Sequence, residues 1–299
     1  MAELGHRYSV FGLVLETEMP LPELVPALAE GAAELRVTLG DVEEAPPGLH
    51  IHGEDALLVV ADVGRFLCRS GREMVVAPAP HVSERNLRLY LLGSALAVII
   101  HQRGLLPLHA NAVVVEGKAI GFMGHPGAGK STLAAWFHDR GFEVLADDVC
   151  VVTRDGERRP IAHPGIPRLR LWREALEASG READGYERSF DDMDKYTVPT
   201  DLERAQAAVP LSHLYVLEKA PGDASVARLQ GSAAVEAIVA NTYRGAYLPL
   251  MGRTGQHLLA CAGLARVVPV FRAERRWGYG DFDEEAAAFE RHARALIGA

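Results

Sequence analysis

The sequence is poor in the residues that support disulfide-rich or metal-stabilised folds. Only three of its 299 residues are cysteines, Cys68, Cys150 and Cys261, and no two of them lie close together in the chain. An odd number of widely spaced cysteines argues against a disulfide framework and against a cysteine zinc site. We therefore expect a protein of the reducing cytoplasm.

Long hydrophobic runs and an excess of positive charge are also missing. The longest nearly apolar stretch, Leu91 to Ile100, is about half as long as a membrane-spanning helix, and the N-terminal segment MAELGHRYSVFG lacks a basic patch followed by an apolar core. The formal net charge is −9, with one local basic cluster, RLRLWR, at residues 168–173. We expect neither a membrane nor a nucleic acid as a partner.

The composition is that of an ordinary globular protein, with 48% hydrophobic and 24% charged residues. Such a chain can form one large domain or two modest ones. The first part contains short segments that alternate apolar and polar residues, as Leu35, Val37 and Leu39 do. Because a period of two is typical of half-buried strands, we predict a small antiparallel β-rich domain over residues 1–82.

From Ser83 onward the pattern predicts an α/β domain over residues 83–299. Apolar residues recur at helical spacing from Leu87 to Val98, and Ser83 is a suitable N-cap for that helix. Two short apolar strands, 111–115 and 119–123, follow on either side of the turn EGK. The second of these strands leads directly into a glycine-rich segment.

That segment, GHPGAGKST, matches the pattern G-x-x-x-x-G-K-[ST] and lies between an apolar strand and a run of helix formers. In such a loop the main-chain N–H groups point at phosphate oxygens and the helix N-terminus adds a positive dipole, while Lys130 reaches the outer phosphates and Ser131 ligates Mg²⁺. A chance match is the alternative. The residues predicted to bind the nucleotide are Gly124, His125, Pro126, Gly127, Ala128, Gly129, Lys130, Ser131 and Thr132.

Two consecutive aspartates, Asp147 and Asp148, end the apolar segment FEVLA that follows the loop helix. A strand in this position places its carboxyl end beside the phosphates. One acid that holds Mg²⁺ or its water, and another that accepts a proton from an attacking hydroxyl, would suit a phosphotransferase. Ser131, Asp147 and Asp148 are therefore the candidate metal ligands. The alternative is that the two aspartates merely begin a turn.

The segments LPLHANAVVVEGKAIGFM (106–123) and GHPGAGKSTLAAWFHDRGFEVLADD (124–148) resemble the catalytic domain of HPr kinase/phosphorylase, a bacterial serine kinase with a phosphoenolpyruvate-carboxykinase-like P-loop fold. Three further segments, at residues 8–24, 101–110 and 210–218, look like the HPr-kinase-like proteins associated with lasso-peptide biosynthesis. The resemblance implies a central mixed sheet and ATP- and Mg²⁺-dependent transfer of the γ-phosphate to a serine of a peptide or protein. In some members of the lasso-associated group the acceptor is the C-terminal serine of a precursor peptide.

The resemblance also implies individual roles. It makes Lys130 the phosphate-binding lysine, Asp147 the proton acceptor and His109 an active-site histidine. Arg228 would be the arginine that stabilises charge on the transferring phosphoryl group. For His109, the alternative is a histidine at the start of a strand with no chemical role.

The chain departs from the family in three segments. The stretch PIAHPGIPRLRLW (160–172) lacks the acid that helps to bind metal in HPr kinases, so metal ligation would depend on the residues named above or on water. We find no loop of the kind associated with phosphorylase activity, and the reverse reaction is not expected. The segment DDMDKYTV (191–198) is interpreted as a solvated charged loop, with Lys195 pointing into the site as the alternative.

Two other functions stay open at this point. A small-molecule kinase would also place acids on the strand after the loop helix, although such enzymes usually carry the loop near the N-terminus. A nucleotide-gated binding protein would bind ATP without transferring phosphate. The favoured partner is a peptide or protein with an acceptor serine, with residues 1–82 as a candidate for recognising it, and the chain could form a homo-oligomer.

Overall fold

The computed structural model describes residues 5–28, 31–190, 193–200, 207–220, 224–276, 278 and 280–298. The chain divides into two compact units, Met1–Pro107 with Tyr243–Ala260, and Leu108–Thr242 with Cys261–Ala299. The first unit therefore extends beyond the β-rich region that we expected to end at residue 82.

Eight strands and two helices follow one another in the N-terminal part. They are β1 (His6–Val10), β2 (Leu13–Thr17), β3 (Val25–Pro26), β4 (Leu35–Leu39), β5 (Gly48–His52), β6 (Asp55–Val60), β7 (Gly64–Arg69), β8 (Glu73–Pro78), α1 (Glu84–Tyr90) and, after a π-helical turn at Leu91–Ala95, α2 (Leu96–Gln102). The strands form one sheet in the order β3-β1-β2-β4-β8-β7-β6-β5. Most pairings are antiparallel as predicted, but β4 pairs in parallel with β2 and β8. Parallel neighbours cannot be joined by a tight hairpin, and longer stretches of chain separate β2 from β4 and β4 from β8.

The helical segment after the sheet belongs to the first unit because its side chains bond to the strand connections. Ser83 is the N-cap, and its hydroxyl accepts a hydrogen bond from the Asn86 main-chain N–H at 3.2 Å. At the other end, Gln102 donates to Glu54 O at 2.9 Å and accepts from Gly71 N at 3.0 Å. The packed unit therefore continues past the boundary that the sequence predicted at residue 82.

The remaining elements belong mostly to the second unit. They are β9 (Leu106–Leu108), β10 (Ala110–Val115), β11 (Lys118–Met123), α3 (Lys130–Asp139), β12 (Glu143–Ala146), β13 (Cys150–Arg154), β14 (Pro160–Ala162), β15 (Arg168–Trp172), α4 (Arg173–Ala178), a 3-10 turn at Ala183–Gly185, β16 (Glu187–Phe190), β17 (Met193–Pro199), β18 (Val209–Lys219), β19 (Ser225–Leu229), α5 (Ser232–Ala240), α6 (Tyr247–Leu250), α7 (Thr254–Ala265), β20 (Val270–Arg275) and α8 (Phe282–Ile297). No helix in the described ranges combines the length and apolar character needed to cross a membrane.

The central sheet of the second unit is mixed, and the predicted α/β fold class is confirmed. Its strands run in the order β12-β10-β11-β18-β14-β13, and β20 pairs with both β18 and β19. Strand β11 is parallel to β18, and β18 is parallel to β20, whereas β10 is antiparallel to both of its neighbours. A smaller antiparallel sheet has the order β15-β17-β16.

The position of β10 determines what meets at one edge of the central sheet. Ala110 is paired with Met123 at the end of β11, and Ala112 is paired with Ala146 at the end of β12. Because β10 runs opposite to both neighbours, its amino end lies beside their carboxyl ends. The start of β10, the glycine-rich loop after β11 and the aspartates after β12 are thereby brought together.

Helices α3 and α8 contribute to one apolar core with the central sheet. The core includes Phe122, Phe137 and Phe289, whose rings lie within contact distance of one another or of Tyr215. On α8 the buried positions are Ala286, Phe289 and Ala293, which recur at helical spacing, whereas Leu296 is 36% exposed.

A histidine is buried within this aromatic core. His213 on β18 is 1% exposed, and its Nε2 lies 3.1 Å from the Tyr215 hydroxyl, which in turn lies 2.6 Å from His292 Nδ1. Burial, with a smaller contribution from His292, lowers the pKa of His213 to about 4. The folded protein therefore keeps this imidazole neutral at a pH where the unfolded chain takes up a proton.

We expect His213 to make the folded state less stable as the pH falls. Its stabilising contribution is complete above the unfolded pKa of about 6.5 and is lost between there and the folded value, so about 2 kcal/mol disappears by pH 5. Urea denaturation of the wild type and of His213→Gln at pH 7 and pH 5 measures this difference. An equal loss in both proteins would show that another group causes it.

Candidate functional site

The glycine-rich loop has the backbone that its sequence predicts. Gly124 and Gly129 have φ values of +136° and +84°, and Gly129 is the N-cap of α3. A Cβ atom at Gly124 would lie 2.7 Å from Leu217 O, and one at Gly129 would lie 3.1 Å from Arg275 Nη1. The backbone conformation favours glycine at both positions, and at Gly124 the neighbouring main chain also leaves no space for a side chain. The first N–H groups of α3 remain available to an anion.

Lys130, the first residue of α3, is folded back against this loop. Its side chain is 5% exposed, and Nζ donates to Gly124 O at 2.7 Å and to His125 O at 3.3 Å. Burial and, to a smaller extent, the charge of Lys195 lower the pKa of Lys130 to about 8, while the charge of Asp147 opposes both effects. The ammonium group is thus held at the loop in a strongly electropositive environment.

Asp147 connects four segments of the second unit. Its Oδ1 accepts hydrogen bonds from Ser131 Oγ at 3.1 Å and from Asn111 Nδ2, and its Oδ2 accepts from the Arg170 main-chain N–H at 2.8 Å. The side chain is 1% exposed. Strands β10, β12 and β15 and the start of α3 are therefore joined through one buried carboxylate.

Asp148 differs from its neighbour in conformation and exposure. Its φ is +66°, and the Val149 N–H donates to Asp147 O at 2.9 Å, which together fit the rare γ-turn with a positive central φ. The Asp148 carboxylate forms an ion pair with the Arg170 guanidinium. Strained backbone of this kind is concentrated at functional sites.

A cavity of about 500 Å³ opens beside the loop, and we call it the aspartate cavity. It is lined by His109, Pro126, Gly127, Gly129, Lys130, Ser131, Thr132, Asp148, Arg170, Leu171, Trp172, Glu174, Ala175, Lys195, Arg275 and Gly278. The structure thus brings Asp148, but not the buried Asp147, to the wall of the cavity. The loop residues Gly124, His125 and Ala128 line a separate cavity of about 790 Å³, which also contains Asn241.

His109 lies where the sequence predicts, at the start of β10 and in the aspartate cavity. Its main-chain N–H donates to Asn241 O at 2.7 Å, and the Asn241 side chain accepts from Gly124 N at 2.8 Å. Burial lowers the pKa of His109 to about 4, and the nearby charges of Lys130 and Lys195 act in the same direction. The imidazole is therefore neutral at physiological pH.

Two expectations about cationic residues differ from what the structure shows. Arg228 is exposed on β19 and is not among the residues that line the aspartate cavity, whereas Arg275 at the end of β20 does line it. The segment with Lys195 is not a solvated loop in its described part, because residues 193–199 form β17 and Lys195 lines the cavity. The main chain of β17 is hydrogen-bonded to β15, which fixes this segment as a strand.

Several residues of the site escaped the sequence analysis. Asn111 occupies the strand start that was predicted, but only the strand order reveals that it faces Asp147. The segment RLRLW was noted for its charge, and its alternation could have predicted that Arg170 and Trp172 share one face while Leu171 is buried. Glu174, just after that strand, is an acid that borders the cavity and was not considered.

Comparisons with known proteins were made with both sequence and structure. No protein-family model matches the sequence, and no curated protein matches it either. Among solved structures 91 chains match, including the Hpr(Ser) kinase/phosphatase from Coxiella burnetii, which is 13% identical. That match covers 64% of this chain and 99% of the other, with a TM-score of 0.35. At this similarity the function has to be argued from the site itself.

The hydrogen bond from Asn111 should be essential to the burial of Asp147. Asn111→Ala leaves Oδ1 with one donor fewer and should lower the free energy of unfolding by about 1–3 kcal/mol. Asn111→Asp has nearly the same volume but places a second carboxylate there, and we expect a larger loss. Urea denaturation tests both, and an Asn111→Asp variant as stable as the wild type would contradict this view of the site.

Proposed function

We propose that the chain is an ATP- and Mg²⁺-dependent kinase that transfers the γ-phosphate to a serine hydroxyl of a peptide or protein. The observation that carries the proposal is the bond between Ser131 of the loop and Asp147 of the next strand, beside Lys130 and a cavity bordered by Asp148. A phosphate-binding loop and two carboxylates are thus held within one site. A cavity of about 500 Å³ is also within the range of small-ligand sites.

The loop supplies the groups that would bind the nucleotide. The N–H groups at the start of α3 would donate to phosphate oxygens and Lys130 would meet the outer phosphates, as in other loops of this pattern. Thr132 and Arg275 border the same cavity and extend the polar and cationic wall.

The residues at this site fit a magnesium ion. Mg²⁺ takes hard oxygen ligands and is commonly held by one or two carboxylates together with waters and substrate phosphates. Ser131 borders the cavity and would hold it, and Asp147, which accepts a hydrogen bond from Ser131 Oγ at 3.1 Å, would position that hydroxyl. When bound, the ion neutralises charge on the phosphate oxygens. The described residues contain no group of three or more His, Cys, Asp or Glu residues arranged for a metal.

The acid that faces the acceptor is, in our proposal, Asp148. The resemblance implied this role for Asp147, but both oxygens of Asp147 already accept hydrogen bonds and its side chain is buried. In the transfer, the acceptor oxygen forms a bond to the γ-phosphorus and the bond to the β–γ bridging oxygen breaks. The electron pair leaves on ADP and the acceptor proton passes to the Asp148 carboxylate.

The acceptor is proposed from the resemblance to serine kinases, and it is tested directly. The full chain is incubated with labelled ATP, Mg²⁺ and the small peptides encoded beside its gene, including a lasso precursor with a C-terminal serine where one is encoded. Labelling of a peptide on serine supports the proposal. Labelling of small metabolites only would favour a small-molecule kinase, and nucleotide binding without any transfer would favour a nucleotide-gated binding protein.

Lys130→Ala should abolish nucleotide binding and transfer because it removes the charge that meets the outer phosphates. The matched control is Lys118→Ala, since Lys118 is a half-buried lysine at the opposite end of β11. Calorimetric ATP titration, with circular dichroism to check the fold, measures the effect. Unchanged ATP affinity and turnover in Lys130→Ala would remove the loop from the proposal.

The two aspartates should fail in different ways. Asp148→Asn keeps the shape of the side chain but cannot accept a proton, so transfer should fall by about 10²–10⁴-fold with ATP affinity little changed. Asp147→Asn should instead raise the Mg²⁺ concentration needed for the half-maximal rate. Single-turnover phosphorylation across a Mg²⁺ series distinguishes them. If the Asp148 variant recovers at high Mg²⁺ and the Asp147 variant does not, the two roles are exchanged.

A further inference from the structure

One cation of the aspartate cavity has no role in the proposal so far, namely Lys195. It lies on β17 in register with Trp172 of β15, while Thr197 is in register with Arg170. Residues in register share a face of a sheet, and alternate residues of a strand do so too. Lys195 and Arg170 are therefore on the same face, and the Arg170 main chain is fixed to Asp147.

The contact that the structure describes for the Lys195 ammonium group is with an aromatic ring. Its Nζ lies 5.9 Å from the centroid of the Trp172 ring, and it forms no ion pair with any residue of the described ranges. Asp147 is the acid whose charge acts on it, but the oxygens of Asp147 accept from Ser131 and from the other donors given above. The indole holds the ammonium group without neutralising it.

The cavity therefore has an excess of positive charge at this place. Burial and, to a smaller extent, the charge of Arg170 lower the pKa of Lys195 to about 8, while the charge of Asp147 opposes them. The charge of Lys195 likewise lowers the pKa of Lys130 and of His109, so these groups share one space. Like charges gathered in a half-buried cavity are stabilised when an anion enters between them.

The two lysines approach that space from different elements. Lys130 is held by carbonyl groups of the loop, on the side of the cavity where a nucleotide would bind. Lys195 comes from β17, on the sheet whose Arg170 pairs with Asp148. A triphosphate that follows the loop would place its terminal phosphoryl group near Asp148, and thus near Lys195.

We infer that Lys195 is a catalytic residue, which contacts the terminal phosphoryl group of the bound nucleotide and stabilises its charge during transfer. This inference rests on the proposed kinase function. Lys195 keeps its proton throughout, and its effect is electrostatic. It takes the part that the family resemblance implied for Arg228.

Nucleotide binding tests the inference without knowledge of the acceptor. Calorimetry with Mg²⁺ compares ADP with AMP-PNP, a non-hydrolysable ATP analogue, on the full chain. In Lys195→Met the Kd for AMP-PNP should rise about 10- to 100-fold, the loss expected for a hydrogen bond to a charged group, with the Kd for ADP within about twofold of the wild type. Lys195→Arg keeps the charge and should recover most of the lost affinity. Lys118→Met, a half-buried lysine away from the cavity, should change neither constant.

Each alternative outcome has a separate meaning. If Lys195→Met binds AMP-PNP as the wild type does, or loses ADP affinity to the same extent, the inference is wrong and the kinase proposal stands. If the wild type binds neither nucleotide, the proposed function fails and the inference fails with it. A circular dichroism spectrum like that of the wild type is required for each variant, and Lys195→Arg provides the comparison if Lys195→Met is unfolded.

Discussion

The site depends on the burial of one carboxylate, that of Asp147. A buried charge is costly unless hydrogen bonds and nearby positive charge compensate it. Here Ser131, Asn111 and the Arg170 main chain donate to it. Because the donors come from three different elements, satisfying this one group fixes the start of α3 relative to β10, β12 and β15. The glycine-rich loop is therefore held by an electrostatic requirement as well as by apolar packing.

The antiparallel strand β10 makes this arrangement possible. In a sheet of parallel strands only, the edge beside the loop would carry carboxyl ends alone. Inserting β10 between β11 and β12 adds the amino end of a strand, with His109 and Asn111, to that edge. The site thus gains a neutral imidazole and an amide donor within the reach of the aspartates.

The features that could be predicted from the sequence are those determined by residues close together in the chain. The N-cap at Ser83, the two strands before the loop and the helix after it all follow from local patterns, and the structure contains each of them. Lys195 and Arg275 reach the cavity through strand pairings between distant segments, and such pairings leave no periodic signal in the sequence. Because β17 pairs with β15, the charged stretch at residues 193–199 is a strand beside the site and not a solvated loop.

The two aspartates show how adjacent residues acquire different chemistry. Strand alternation alone would turn them to opposite faces. The turn at Asp148, with its positive φ, adds a local bend at the point where the strand ends, so that one acid is enclosed and the other borders the cavity. Arg170 contacts both, through its main chain to Asp147 and through its guanidinium to Asp148. A phosphate group in the cavity would offer that guanidinium a second anion and weaken its hold on Asp148. Nucleotide binding and the exposure of Asp148 would then be coupled through a single arginine.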